Sequence, residues 1–178
     1  MKVVAFNGSA RKNGNTTILI EKVFEELGKE SIETELVHLA GKNNKGCIAC
    51  YQCFENKDCR CSVKDDSIND CIEKMIEADG IILASPTYFT SVSTGMKALI
   101  ERAGLVANAN SGMLRHKAGA ALTVAGRTGA SAPLACMNNF FSCFEMFTVG
   151  SSYPNMSIGR AKGDVEKDDQ GLKTMKVL

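Results

Sequence analysis

Short apolar runs alternate with amphipathic stretches along most of the chain. The runs KVVAF (2–6) and GIILAS (80–85) are apolar at almost every position, as in strands that are covered on both faces. Residues 16–27 instead place apolar side chains at i, i+3, i+4 and i+7, which predicts a helix that ends near Gly28. Because strand and helix alternate about five times, we predict an α/β chain with a parallel sheet.

The other elements are predicted from the same two periodicities. Strands are expected at 32–39, 118–126 and 148–152, and helices at 65–78, 92–106, 132–147 and 168–178. The fold class is therefore a doubly wound, five-stranded parallel sheet with helices on both faces. A sheet of this kind binds its ligand beyond the carboxyl ends of its strands, so the loops that follow strands are where a site is expected.

The length and charge of the chain limit the remaining possibilities. Its 178 residues suit one domain, which we expect to span 1–178 with a cysteine-rich loop insertion at about 44–64. A net charge of +1 offers no electrostatic footprint for nucleic acid or an anionic membrane. The N-terminal apolar run is shorter than a signal peptide or a membrane span requires. We therefore expect a cytoplasmic protein without nucleic-acid or membrane partners.

The loop NGSARKNGNTT (7–17) joins the first strand to the first helix. Amide groups at a helix N-terminus attract phosphate, and short polar side chains complete such a site. The loop has neither the G-x-G-x-x-G of dinucleotide sites nor the G-K-[ST] of a Walker A loop, which favours a single phosphomonoester. The alternative is a plain polar turn. The candidate side chains are those of Ser9, Arg11, Asn15, Thr16 and Thr17.

Two further loops follow predicted strands. In SPTYFTSVSTG (85–95), Pro86 sets the exit direction, and aromatic side chains can pack on a flat ring while Thr90 bonds its polar edge. In AGRTGAS (125–131), two glycines permit a close backbone approach and one arginine can face an electron-rich ring edge. The alternatives are aromatic cover for the sheet and a solvated arginine. These candidates are Tyr88, Phe89, Gly126, Arg127 and Gly129.

The stretch GCIACYQCFENKDCRC (46–61) holds five of the eight cysteines of the chain. Disulfides are rare in a reducing cytoplasm, and zinc sites commonly use two separated C-x2-C pairs, of which this stretch lacks the second. A C-x2-C-x2-C triple with a nearby fourth cysteine is closer to iron–sulfur ligation. Zinc, and reduced thiols that pack a loop, stay open as alternatives. The triple is Cys47, Cys50 and Cys53, and the fourth thiol is Cys59 or Cys61.

The segments GSARKNGNT, SPTYFTSVSTGMKALIER and AGRTG, in this order, resemble the flavodoxin-like NAD(P)H-dependent FMN reductase family. The resemblance spans essentially the whole chain and implies a flavodoxin-like fold, non-covalent FMN, NAD(P)H as co-substrate, and a homodimer or homotetramer with the flavin near a subunit boundary. Ala10 stands where many relatives carry proline. By the resemblance, the phosphate contacts Ser9, Arg11, Asn15, Thr16 and Thr17, one side of the isoalloxazine contacts Pro86, Thr87, Tyr88, Phe89 and Thr90, and Gly126, Arg127 and Gly129 lie near its other polar edge.

The cysteine stretch resembles the iron–sulfur flavoprotein branch of that family. This implies a [4Fe–4S] cluster on Cys47, Cys50, Cys53 and one further cysteine. Both Cys59 and Cys61 fit the spacing; we favour Cys61, which precedes the Asp65–Asp66 pair by four residues as the last cysteine does in similar sequences.

The expected function is that of an FMN-dependent oxidoreductase. Electrons would pass from NAD(P)H or ferredoxin through FMN, at N5 of the flavin, and through the cluster to a small acceptor. No catalytic side chain is assigned, since no Ser–His–Asp or Cys–His constellation is present. The alternatives are a cluster-free FMN, quinone or nitro reductase and, in another class, a non-catalytic thiol or metal redox sensor.

Overall fold

The computed structural model describes residues 1–178 and confirms the predicted parallel sheet with its helices. The strands are β1 (Lys2–Asn7), β2 (Glu33–His38), β3 (Gly80–Pro86), β4 (Ala118–Ala125), β5 (Phe147–Thr148) and β6 (Met156–Ile158). The helices are α1 (Asn15–Lys29), α2 (Gln52–Asn56), α3 (Ile68–Glu77), α4 (Thr94–Ala109), α5 (Ser131–Cys143) and α6 (Asp169–Val177).

The strand order is β2-β1-β3-β4-β5, and all neighbours run parallel. This is the 2-1-3-4-5 order of flavodoxin-like sheets, in which the chain changes direction across the sheet between the first and third strands. The change of direction opens a crevice beyond the carboxyl ends of β1 and β3. The predicted fold class is confirmed.

The edge beside β4 differs from the prediction of one last strand at 148–152. That edge is made of two short segments: β5 pairs with the start of β4 at Ala118 and Gly119, and β6 pairs with its end. Between them the chain leaves the ladder through a segment that contains Pro154, which has no amide hydrogen to donate. The fifth position of the sheet is therefore divided, and its second half returns to the crevice.

Alternate residues of the central strands pack on opposite faces of the sheet. Val4 and Phe6 belong to a core that also contains residues of α3, α4 and α5. Val3 and Ala5 belong to a second core with residues of α1 and α6. The continuous apolar pattern of β1 therefore follows from burial on both sides. None of the helices combines the length and the apolar content needed to cross a bilayer.

The sequence indicated that the cysteine stretch is a loop throughout, and the structure corrects this prediction. The stretch contains the short helix α2, which buries Cys53 against α4. Residues with left-handed backbones, Tyr51 and Lys57, flank the helix on both sides and limit its length. The expected helix over 132–147 also ends early, at Cys143, because Glu145 adopts a left-handed conformation with φ of 55°.

Gly119 provides a test of the packing between β4 and α5. A Cβ atom at this position would lie 2.6 Å from Cγ of Phe141, a distance that requires a core aromatic ring to move. We expect Gly119→Ala to lower the free energy of unfolding by about 1–3 kcal/mol, measured by urea denaturation. The matched control is Gly28→Ala in α1, where an added Cβ would meet no atom within 4 Å apart from the backbone of its own helix and its chain neighbours. We expect this change to be neutral or stabilising. Equal stability of the two variants would contradict this description of the core.

Candidate functional site

A cavity of about 210 Å³ lies beyond the carboxyl ends of β1, β3, β4 and β6. It brings together residues from three loops that the sequence analysis selected separately, together with residues of a fourth loop. Eight of the predicted residues line it: Ser9, Arg11, Asn15, Thr16, Pro86, Thr87, Tyr88 and Gly126. The other lining residues are Val124, Gly159 and Arg160.

The first loop is held in shape by its own polar groups. The amide of Ser9 donates to Oδ1 of Asn7 at 2.8 Å, and Oγ of Ser9 accepts from the amide of Arg11 at 3.1 Å. The amide of Gly8 donates to the carbonyl of Ala84 in β3 at 2.8 Å. The loop is therefore a preformed turn between β1 and the N-terminus of α1, where amide groups favour an anion.

The two threonines of this loop have different roles. Oγ1 of Thr17 donates to the carbonyl of Lys12 at 2.6 Å and accepts from Nδ2 of Asn7 at 2.9 Å, so this hydroxyl stabilises the loop itself. Thr16 lines the cavity, and no side-chain hydrogen bond ties it to the rest of the chain. Its hydroxyl is therefore available to a ligand.

The side chain of Asn15 connects the first loop to the segment after β6. Its Nδ2 donates to the carbonyl of Ala161 at 2.8 Å, and its Oδ1 accepts from the amide of Gly163 at 2.7 Å. Nη1 of Arg11 donates to the carbonyl of Arg160 at 3.2 Å. The sequence analysis missed this fourth loop because it assigned no strand before Gly159. The two closely spaced glycines and the nearby cations in GRAKG (159–163) were the available signal.

The second loop exposes part of its predicted platform. The backbones of Tyr88 and Ser91 exchange two hydrogen bonds, at 2.9 and 3.0 Å, which close a tight turn. Phe89 and Thr90 inside the turn have φ of 48° and 59°, and the Phe89 side chain is fully exposed. Pro86, Thr87 and Tyr88 line the cavity, whereas Phe89 and Thr90 lie outside its walls.

The third loop contributes one residue to the cavity wall, Gly126. Arg127 is exposed and does not line the cavity. Gly129 has φ of 86°, and a Cβ there would lie 2.9 Å from Cγ2 of Thr90. Gly129 therefore permits the close approach of the second and third loops and is not itself in the wall.

A larger cavity, about 440 Å³, lies at the sheet edge between β2 and α3. None of the predicted site residues lines it. Glu35 in its wall is engaged by Lys2 and Lys74, whose hydrogen bonds lower the pKa of that carboxyl. Volume alone therefore does not identify the functional site of this chain.

The cysteine stretch forms a second centre beside α4. One small cavity is lined by all four cysteines that the sequence analysis preferred, Cys47, Cys50, Cys53 and Cys61. Cys59 is not in its wall; its backbone is left-handed, with φ of 59°, and its amide donates to Oδ1 of Asn110 at 3.3 Å. The other lining residues are Ile48, Tyr51, Ser62, Val63, Arg102, Leu105 and Val106.

Each of the four sulfurs has a different hydrogen-bond partner. Cys47 Sγ accepts from the amide of Ala49 at 3.4 Å, and Cys50 Sγ lies 3.1 Å from Oγ of Ser62. Cys53, the one buried residue of the four, donates from Sγ to the carbonyl of Leu105 at 3.8 Å. Cys61 Sγ accepts from Nε of Arg102 at 3.2 Å. The thiols share one cavity, but no three of them are arranged as metal ligands.

Cys61 is the most firmly held of these residues. Its amide donates to Oδ1 of Asn69 at 2.7 Å, and its carbonyl accepts from Nδ2 of Asn69 at 2.9 Å. Arg102 forms an ion pair with Asp66, and both side chains are inaccessible to solvent. Burial would raise the pKa of Asp66, but the hydrogen bond from Arg102 and two backbone amides outweigh it and hold that pKa below its usual range. The sequence analysis missed Arg102 and Asn69.

Comparison with known proteins identifies the family of the chain. The sequence model of the family described as NADPH-dependent FMN reductase matches residues 1–161. An iron–sulfur flavoprotein of Methanocaldococcus jannaschii is 38% identical over 100% of this chain and 93% of the relative. One from Archaeoglobus fulgidus is also 38% identical, over 100% of this chain and 92% of the relative. The crystal structure of a WrbA-like flavodoxin from Agrobacterium tumefaciens has the same fold, with a TM-score of 0.67, 16% identity, and coverage of 99% of this chain and 90% of that one.

The cysteines should differ sharply in their reactivity toward alkylating reagents. A hydrogen bond with Ser62 lowers the pKa of exposed Cys50, whereas burial in α3 raises the pKa of Cys71 to about 11. At pH 8 about one thousandth of Cys71 is thiolate, so in metal-free folded protein iodoacetamide should label Cys50 long before Cys71. Peptide mass mapping over time measures both rates. Ser62→Ala should slow labelling of Cys50, and equal labelling rates for Cys50 and Cys71 would contradict these environments.

Proposed function

The chain belongs to the NADPH-dependent FMN reductase family, and on this basis we propose how its two centres divide the work of a flavin-dependent oxidoreductase. The crevice at the carboxyl edge of the sheet would bind FMN. The cysteine cavity beside α4 would bind a [4Fe–4S] cluster through Cys47, Cys50, Cys53 and Cys61. The observation that carries the proposal is that these four thiols, and not Cys59, line one cavity.

The first loop suits the FMN phosphate. Ser9 and Thr16 line the crevice at the N-terminus of α1, and Arg11 supplies a cation. The phosphate would accept hydrogen bonds from these side chains and from the amides of the loop. Asn15 and Thr17, whose polar atoms are used within the chain, would support the loop instead of contacting the phosphate through those atoms.

The second and third loops suit the flavin ring. Pro86, Thr87 and Tyr88 would face one side of the isoalloxazine, and Gly126 would lie at its other polar edge. Phe89, Thr90 and Arg127 are exposed residues of the same loops, and Gly129 lies against Thr90. A second subunit that covers exposed Phe89 would complete this side of the site, which supports a homodimer or homotetramer.

The cysteine cavity fits an iron–sulfur cluster by the chemistry of its donors. Four thiols meet an otherwise largely apolar wall that contains Leu105 and Val106 of α4. Thiolate sulfur is the usual protein ligand of [4Fe–4S] clusters, and apolar surroundings limit access of water. The internal hydrogen bonds of Cys50 and Cys53 would be exchanged for bonds to iron.

FMN and the cluster would supply the electron-transfer chemistry. Bound FMN exchanges either one or two electrons, and a cluster exchanges one. The chain positions them and needs no side chain as acid or base. NAD(P)H or a ferredoxin would be the donor and a small molecule the acceptor. A reducing cytoplasm suits thiolate ligands.

The first experiment is iron and acid-labile sulfide analysis of protein purified without oxygen, together with its flavin spectrum. We expect bound flavin and about four irons per chain. Cys61→Ala should lose the iron and keep the flavin. Cys59→Ala, a matched change two residues away, should keep both, because Cys59 lies outside the cavity.

The alternatives give different results in the same experiment. Flavin without iron in the unmodified chain would establish a cluster-free FMN reductase, an outcome consistent with the absence of three thiols in metal geometry. Iron that survives Cys61→Ala but not Cys59→Ala would make Cys59 the fourth ligand. Protein without flavin that takes up zinc would favour a thiol or metal sensor.

Thr16 and Thr17 provide a matched pair for the phosphate site. Thr16→Val removes a free hydroxyl from the crevice, and a hydrogen bond to a charged group contributes about 1.5–3 kcal/mol. We expect the Kd for FMN to rise about 10- to 100-fold, measured by fluorescence titration of flavin-free protein. Thr17→Val removes bonds to Lys12 and Asn7, so it should lower the Tm of the flavin-free protein more than Thr16→Val does. An unchanged Kd for Thr16→Val would remove Thr16 from the phosphate site.

A further inference from the structure

Arg102 in α4 is the largest side chain of the chain that is almost fully buried, with 1% of its surface exposed. Its Nε lies 3.2 Å from Sγ of Cys61, with the N–H directed at the sulfur. A buried guanidinium requires compensation for the hydration that it loses. The partners that supply this compensation also determine where the remaining donor points.

The two terminal nitrogens of Arg102 are engaged by oxygen atoms. Nη1 donates to the carboxylate of Asp66 and to the carbonyl of Lys45 at 3.3 Å, and Nη2 donates to the carbonyl of Val63 at 2.7 Å. These acceptors come from both ends of the segment that contains the cysteines. They fix the planar guanidinium so that Nε faces Cys61, which a flexible ammonium group would not do as reliably.

The acceptor of the Nε hydrogen bond, the sulfur of Cys61, is a weak one for an arginine whose role is only structural. A thiol sulfur is a weak hydrogen-bond acceptor, whereas a thiolate is a strong one because it carries charge. The other three sulfurs of the cavity meet neutral partners: the amide of Ala49, the hydroxyl of Ser62 and the carbonyl of Leu105. Only the Cys61 corner of the cavity has a fixed positive charge against its sulfur.

We propose that Arg102 is a positioning residue that holds Cys61 as a cluster ligand and raises the reduction potential of the bound cluster. This rests on the proposed cluster function. Hydrogen bonds to ligand sulfurs and nearby positive charge stabilise the reduced state, which carries one more negative charge than the oxidised state. Asp66 partly offsets the charge of Arg102, but its carboxylate binds Nη1 on the side of the guanidinium away from Nε.

The test compares cluster potentials in the complete FMN-loaded protein. Arg102→Gln removes the charge and shortens the side chain, and Arg102→Lys keeps the charge but loses the fixed direction of Nε. At a given applied potential we expect the ratio of reduced to oxidised cluster to fall about tenfold in Arg102→Gln, equivalent to a midpoint about 59 mV lower for one electron. Arg102→Lys should lie between this variant and the unmodified chain.

Asn110→Ala is the matched control. It removes the hydrogen bond that Asn110 accepts from the amide of Cys59, so it loosens the same stretch without touching a sulfur of the cavity. Its cluster potential should equal that of the unmodified chain. Flavin content measures whether each variant has folded, because the FMN crevice shares none of its lining residues with the cysteine cavity.

The outcomes separate this inference from the function on which it rests. Unchanged potentials in both Arg102 variants, or an equal shift in Asn110→Ala, would overturn the role of Arg102 while leaving the cluster in place. Both Arg102 variants could instead lose iron while they retain flavin, with Asn110→Ala retaining its full iron and flavin content. This result would support the role of Arg102, because it would show that Cys61 is no longer held in place as a ligand. An unmodified chain that binds flavin and no iron would overturn the proposed cluster, and the inference with it.

Discussion

All neighbouring strands of the sheet run in the same direction, and this constraint brings the functional loops together. A parallel pair needs a crossover that returns the chain to the same edge, so the loops after β1, β3, β4 and β6 all begin at the carboxyl edge. The order reverses between β1 and β3, where the following helices pack on opposite faces and the loops separate. The crevice lined by Ser9, Pro86 and Gly126 is the consequence.

Helix α4 physically connects the crevice to the cysteine cavity. It begins after the turn that contains Tyr88, where Oγ of Ser93 accepts from the amide of Met96, and about two turns later it carries Arg102. The buried pair with Asp66 ties the cysteine stretch to this helix. Buried ion pairs add little net stability compared with apolar packing, although the loss of one partner is costly. The Arg102–Asp66 pair therefore contributes more to the orientation of the cysteine stretch than to the stability of the fold.

Elements with a strong apolar pattern of their own were predictable, because their composition reflects their own environment. The predicted bounds of β1, β3 and α1 lie within about two residues of the observed ones. The divided fifth strand could not be predicted, since β6 depends on pairing with the end of β4 and has no strong apolar pattern of its own. Arg102 was missed because a charge on a helix is ordinarily solvated, and its burial depends on Asp66, 36 positions earlier in the chain.

Backbone strain is concentrated at the same two centres. Ten residues other than glycine have positive φ, and six of them lie in the cysteine stretch or in the turn beside Tyr88: Ala49, Tyr51, Lys57, Cys59, Phe89 and Thr90. Each such conformation costs about 1–3 kcal/mol and persists only where the surroundings determine it strongly. Few side chains cover these segments, since Tyr51 and Phe89 are exposed. Groups bound at the two centres would add the missing constraints, so ligand binding should stabilise these segments more than the sheet.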